Sequence, residues 1–151
     1  RCFANMYSIH TEVALPCSRE RVFSFFADPH NLEIITPEWL RFRVLSYGIE
    51  MKPGSFIDYR LRLRGIPIRW QCEITVWNPP HCFVDQQCRG PYTEWIHTHQ
   101  FEEVRGSTKV LDDVRYDHLG GRWVNHLFVA RDLEKIFSYR KSKLQELFSV
   151  S

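Results

Sequence analysis

The sequence predicts an α+β fold in which a curved, seven-stranded antiparallel sheet grips one long C-terminal helix. Two short helices are expected between the first and second strands. Three observations predict this. From residue 40 to about residue 118 the chain keeps a period of two, the mark of half-buried strands. The breaks in that stretch are short turn punctuation at Lys52-Pro53-Gly54, Gly65-Ile66-Pro67, Asn78-Pro79-Pro80, Gly90-Pro91 and Arg105-Gly106, and consecutive strands so closely joined pair antiparallel. After Gly120-Gly121 the apolar residues recur instead at steps of three and four.

Taken in order, "YSIHTEVALP" (7–16) alternates and reads as the first strand. Ser18 is an N-cap for a helix over Arg19 to Asp28, with Val22, Phe25 and Phe26 as its apolar stripe and Pro29 as its stop. "HNLEIITPEWL" suggests a second short helical turn ending before Pro37. Strands are expected at 40–48, 54–64, 67–78, 82–90, 93–104 and 107–118. Residues 122–148 form the last element, an amphipathic helix about 40 Å long at 1.5 Å per residue, enough to lie across a whole sheet. Val124, Leu127, Phe128, Leu133, Ile136, Phe137, Leu144, Leu147 and Phe148 are its apolar positions.

The 151 residues fit one domain without linkers or repeats, able to bury roughly 68–70% of its extended-chain surface. With 20 basic against 18 acidic residues, nothing directs the chain to nucleic acid or an anionic membrane. No apolar run is long enough to span a bilayer, and the start is not a signal peptide. Arg1 is not an initiator Met, so a fragment is expected, which leaves room for a targeting segment or neighbouring domain outside it. Cys2, Cys17, Cys72, Cys82 and Cys88 are odd in number and irregularly spaced, without a C-x-x-C, which supports neither a disulfide framework nor a zinc ribbon. Reduced thiols in a cytoplasmic protein are expected.

Four stretches, "RVFSFFADPHNLEIITPEWLRFRV" (21–44), "YRLRLRGIPIRWQCEI" (59–74), "WNPPHCFVDQQCRGPYTEWIHTHQFEE" (77–103) and "FSYRKSKLQELF" (137–148), cover nearly the whole chain. In this order the sequence resembles the START/SRPBCC superfamily, whose helix-grip fold wraps seven strands around a C-terminal helix. It is most similar to the polyketide cyclase/dehydrase-like branch of uncharacterised bacterial proteins. The resemblance implies an elongated apolar cavity between sheet and long helix. Some such relatives are fused to a nucleotide-sugar-epimerase-like domain, so fusion to or association with one is expected here. The superfamily holds lipid carriers, hormone receptors, cyclases and chaperone-associated domains, and fold alone does not choose among them.

The chemistry is concentrated in the strand "EWIHTHQFEE", where Trp95, His97, His99 and Phe101 share one face. A two-residue loop at Arg105-Gly106 pairs Val104 with Ser107, so facing residue numbers sum to 211. His99 then faces Asp112, His97 faces Val114 and Trp95 faces Tyr116. Facing Cβ atoms lie roughly 4.5–5.5 Å apart, within reach of an imidazole–carboxylate hydrogen bond. Such a pair is either a satisfied polar contact inside a sheet or an oriented general base with a raised pKa. His97, His99 and Asp112 also resemble three metal ligands, but no further Cys or His is aimed at them, and no metal or other cofactor is expected.

Tyr59, Leu61 and Leu63 should face inward and Arg60, Arg62 and Arg64 outward, a solvated stripe or an anion-facing one. On the next strand the inward set is Trp70, Cys72, Ile74 and Val76; on the one after, Gln86 shares a face with Val84 and Cys88 and is taken as an inward polar contact. Cys72 lacks an activating base and is taken as structural. Two readings follow. One is a binding module in which Tyr59, Trp70, Trp95, Phe101 and Phe128 hold a small apolar or aromatic molecule while Gln86, His97, His99 and Tyr116 contact its polar end. The other is a cyclase- or dehydratase-like enzyme in which His99, oriented by Asp112, removes a proton beside a carbonyl and Tyr116 or His97 stabilises the enolate. Binding is favoured.

Overall fold

The computed structural model describes residues 6–149. One sheet carries β1 (Tyr7–Leu15), β2 (Arg43–Val44), β3 (Phe56–Leu63), β4 (Ile66–Asn78), β5 (Cys82–Arg89), β6 (Glu94–Val104) and β7 (Ser107–Asp117). Their spatial order is β1-β7-β6-β5-β4-β3-β2, and every neighbouring pair is antiparallel. Between β1 and β2 lie α1 (Arg19–Ala27) and two 3-10 turns, Pro29–Glu33 and Glu38–Leu40. The chain closes with α2 (Gly121–Val124), a π turn (Asn125–Val129) and α3 (Ala130–Leu147), which form one long helix. This is the expected seven-stranded sheet around a C-terminal helix.

Local chemistry explains the boundaries. The Ser18 hydroxyl accepts from Arg21 N at 3.3 Å and caps α1. Asp28, held extended before Pro29, ends that helix and accepts from His30 N at 3.0 Å to cap the following turn. Two hairpins turn on an Arg-Gly pair with both residues at positive φ: Arg64-Gly65 (51° and 79°) and Arg105-Gly106 (50° and 80°). Two positive φ values in a two-residue loop match the twist of the strands it joins. Val104 therefore pairs with Ser107, as the sequence predicts, while β4 starts one residue earlier than expected, at Ile66. β2 is shorter than expected at 40–48, because side chains replace its ladder: Glu33 Oε1 accepts from Val44 N and Ser46 Oγ accepts from Asp58 N.

Two expected faces are reversed. The β4–β5 register shifts between Ile74 and Val76, so Thr75 is an extra residue. Side chains alternate with period two, and one extra residue swaps the faces. Val76 is consequently exposed, and Trp77 turns inward against Phe23 and Phe83. On β5 the inward residues are Phe83 and Asp85, while Gln86 is exposed, which corrects its assignment to the cavity. The reason is parity. β5 and β6 pair with facing numbers that sum to 182, so the odd-numbered inward residues of β6 face odd-numbered residues of β5.

α3 presents Leu133, Phe137, Arg140 and Leu144 to the sheet, a single stripe at steps of four and three. The expected 122–148 helix is present as one long helix with a π turn within it, where Asn125 Oδ1 accepts from Tyr116 Oη at 2.8 Å. The additional residue per turn rotates the preceding apolar positions off the core-facing stripe. Phe128 ends 46% exposed beneath the Arg64 guanidinium, not in the cavity as expected. Cys17, Cys72, Cys82 and Cys88 are free thiols, and Cys2 lies outside the described residues. No helix among the described residues is long and apolar enough to cross a membrane.

The bulge makes a prediction. Trp77→Ala removes a half-buried aromatic packed on two rings and should lower the unfolding free energy by about 2–3 kcal/mol. Val76→Ala, on the exposed face, should change it by less than about 0.5 kcal/mol. Urea unfolding of both variants checks this, and equal losses would mean that the bulge is absent.

Candidate functional site

The site begins with His97 and His99, adjacent on the inward face of β6 and almost fully buried (6% and 3% exposed). Their rings stack with centroids 3.6 Å apart and planes 23° from parallel. Phe83 extends the stack, its centroid 4.0 Å from that of His99. A carboxylate stands at each side, Asp85 from β5 and Asp112 from β7, and Arg140 reaches down from α3.

The expected register is present: His99 faces Asp112 and His97 faces Val114. The short hydrogen bonds nevertheless run diagonally. His97 Nε2 lies 2.7 Å from Asp112 Oδ1, and His99 Nε2 lies 2.6 Å from Asp85 Oδ2. The directly facing pairs are looser, at 3.4 Å for His99 Nδ1–Asp112 Oδ1 and 3.9 Å for His97 Nδ1–Asp85 Oδ2. Strand side chains lean along the strand, which brings the diagonal neighbour within reach of a long ring. Asp85 thus takes the role expected of Asp112 beside His99. Asp112 Oδ1 instead accepts from His97 and, at 3.1 Å, from Arg140 Nη2.

The electrostatics follow from this arrangement. Burial alone drives both imidazoles toward neutrality. For His97 burial wins, reinforced by neighbouring His99, and its pKa lies below the ordinary value. For His99, burial is outweighed by the two carboxylates, and its pKa lies above the ordinary value. Burial also raises the carboxylates, but the Arg140 charge and the histidine hydrogen bonds hold Asp112 well below its usual range, and His99 and His97 hold Asp85 below its own. Burial and the Asp85 charge push the Cys72 thiol well up, which favours its protonated, weakly nucleophilic form. Asp85, His97 and His99 each offer one ligand atom, and these atoms lie within 4.8 Å of one another.

A cavity of about 160 Å³ between sheet and α3 ends on this cluster. Tyr59, Trp70 and Trp95 stand in its wall and His97 and His99 in its polar end, so five of the expected site residues are brought together. Phe101 and Tyr116 face inward but are sealed in packing, Phe101 against Phe23 and Phe26, Tyr116 under its bond to Asn125. Gln86 and Phe128 are outside. Sequence reasoning missed Asp85, Arg140, Tyr92, Leu133 and Phe137, all of which line the cavity. Arg140 carried a visible signal, since it falls on the apolar stripe 133, 137, 140, 144 of the helix. Asp85 had none, because its face depends on the β5–β6 register. A wider groove of about 700 Å³ lies outside the sheet among Arg41, Arg43, Arg60, Arg62 and Arg69; it is polar and holds none of the buried titratable groups.

The two histidines should titrate on opposite sides of the ordinary value near 6.5. A raised His99 adds stability at low pH that is lost as pH climbs from about 6.5 through its folded value. A depressed His97 adds stability above about 6.5 that is lost as pH falls through its folded value. In chelator-treated protein, ring-proton NMR should show His99 titrating above His97, and Asp85→Asn should lower the His99 midpoint. Coincident midpoints in the wild type would rule out the two carboxylate contacts.

No family model matches the chain, and no curated protein matches it. Solved structures do. Protein CV1439 from Chromobacterium violaceum superposes with a TM-score of 0.76 at 14% identity, over 95% of this chain and 98% of its own. Protein Ms6760 from Mycobacterium smegmatis gives 0.69 at 16% identity, over 95% of each chain. The major latex-like protein 151 of Panax ginseng gives 0.72 at 11% identity, over 96% of this chain and 99% of its own. At such identities the likeness shows the fold alone, and that fold is the helix-grip architecture of a curled seven-stranded sheet around a C-terminal helix.

Proposed function

We propose that this protein binds a small aromatic or apolar molecule in the cavity between sheet and α3, with the ligand's polar group turned toward His97, His99 and Arg140. The observation that supports this reading is the cavity itself. Aromatic and aliphatic walls converge on one buried polar end, the composition of a ligand pocket. Its size narrows the class. A cavity of about 150 Å³ accepts benzene, whereas drug-sized ligands need about 300–1,000 Å³. A space of about 160 Å³ therefore suits one or two fused rings.

The enzymatic reading is weaker on this geometry. His99 is 3% exposed, and both its ring nitrogens are engaged, Nε2 with Asp85 and Nδ1 beside Asp112 and Arg140, so neither is free to take a proton from a substrate. The resemblance to the polyketide cyclase/dehydrase-like branch supports the same ligand class. Four free thiols accord with a cytoplasmic setting, and association with an epimerase-like domain belongs to the same proposal.

The test uses 2-naphthol and chelator-treated protein. Binding should quench tryptophan emission, because Trp70 and Trp95 form the wall, with a dissociation constant in the micromolar range. Leu133→Trp, which fills the cavity from α3, should abolish quenching while far-ultraviolet circular dichroism stays unchanged. His99→Ala should weaken binding several-fold without removing it. Undiminished quenching in a folded Leu133→Trp protein would place the probe elsewhere and sink the reading.

A further inference from the structure

We propose that Asp85, His97 and His99 form a divalent-cation site whose open coordination position faces the cavity. The donor set is two imidazole nitrogens and one carboxylate oxygen, the set found around catalytic zinc and, on one face of an octahedron, around non-haem iron. The expectation of no metal rested on the lack of a further Cys or His aimed at His97, His99 and Asp112. The structure turns a different carboxylate, Asp85, toward the free edges of the histidines.

Three features favour a cation over a merely satisfied ion pair. The first is spacing. Ligands at about 2.0–2.2 Å from a shared ion stand roughly 3–3.5 Å apart. The contacts of Asp85 Oδ2 with His99 Nε2 and His97 Nδ1, 2.6 and 3.9 Å, straddle that distance. The imidazole planes must open from their 23° stack, a rotation about the soft terminal torsion of each ring.

The second feature is the support behind the ligands. Histidines that hold metals donate their other ring nitrogen to a carboxylate or carbonyl. Asp112 Oδ1 lies 2.7 Å from His97 Nε2 and 3.4 Å from His99 Nδ1, on the side of both rings away from Asp85. Arg140 anchors that carboxylate in turn, at 3.1 Å. Asp112 thereby supports the far nitrogen of each ring, with Arg140 Nη2 also 3.4 Å from His99 Nδ1, and the nitrogen of each ring nearer Asp85 is left for a cation.

The third is charge. With both imidazoles neutral, Asp85, Asp112 and Arg140 sum to one negative charge in a buried place, and a buried charge demands a partner. In that state the His99 ring proton moves to Nδ1, toward Asp112 at 3.4 Å, and a divalent cation takes the Nε2 edge beside Asp85. The sum becomes one positive charge, and the open position then takes a hydroxide or an anionic oxygen. The ligand class follows: a phenolate or carboxylate small enough for the cavity.

This inference rests on the cavity reading only for access, and the 2-naphthol assay on chelator-treated protein is independent of it. The probe used here is Co²⁺ added to tag-free, chelator-treated protein. One Co²⁺ per chain should bind and develop the visible bands of a low-coordinate site. In the wild type it should broaden the ring signals of His97 and His99 and leave those of exposed His10 and His126 sharp. Asp85→Asn and His99→Ala should each abolish stoichiometric binding. Asp112→Asn should weaken it about 10–100-fold, the usual effect of removing such a supporting group. Broadening confined to other histidines, or Co²⁺ binding unchanged in Asp85→Asn, overturns the proposal. The wild-type spectrum decides alone if a variant does not fold. Naphthol binding without Co²⁺ binding removes the cation and leaves the cavity reading standing.

Discussion

The interaction on which the interior depends is the ion pair of Asp112 with Arg140, made where sheet and helix meet. An isolated carboxylate in this place would carry a desolvation cost of several kcal/mol. Asp112 Oδ1 is kept ionised by accepting from Arg140 and His97 together. Removing one partner of such a buried pair costs about 3–5 kcal/mol, because the other is left charged and unpaired. The pair also locks α3 to the sheet in rotation. Leu133, Phe137 and Leu144 would tolerate small rotations as a greasy stripe, whereas the guanidinium between them reaches its acceptor in only one setting.

From that pair the polar cluster spreads toward the cavity in a fixed order: Arg140, Asp112, the stacked histidines, Asp85. Each member limits the protonation of the next. Arg140 keeps Asp112 charged, Asp112 orients the imidazoles, and Asp85 brings a second negative charge that draws the His99 pKa upward. Two histidines in similarly deep burial thus acquire opposite pKa shifts, one lowered and one raised. That separation is a common way for a protein to obtain two chemical behaviours from one residue type. Around this core the walls are aromatic. Trp70 and Trp95 meet edge to face at 5.2 Å, rigid surfaces that lose little entropy when a flat ring is placed against them.

Much of this was legible along the chain because it is written in local rules. Period two, turn punctuation and the later helical period require only neighbours in sequence, so the element order and the antiparallel sheet could be read directly. The β6–β7 register was legible as well. A two-residue Arg-Gly loop leaves one way to pair its flanking strands, and from that His99 opposite Asp112 follows by arithmetic. Even Arg140 was marked, as a charge on an otherwise apolar helical stripe.

What tertiary structure alone decided are the features that turn on one residue of slip or on reach between distant elements. The extra Thr75 exchanged Val76 for Trp77, and the longer β5–β6 connection placed Asp85 rather than Gln86 inside; no local pattern shows either, because a single added residue inverts every face beyond it. The π turn held by Tyr116 and Asn125 moved Phe128 to the surface by the same kind of shift in a helix. The diagonal hydrogen bonds depend on how neighbouring side chains lean, which pairing numbers do not record. By itself the sequence determined which residues share a strand and which strands are hairpin partners. Only the folded chain decided which carboxylate each histidine holds, because that choice depends on three strands and a helix being in place at once.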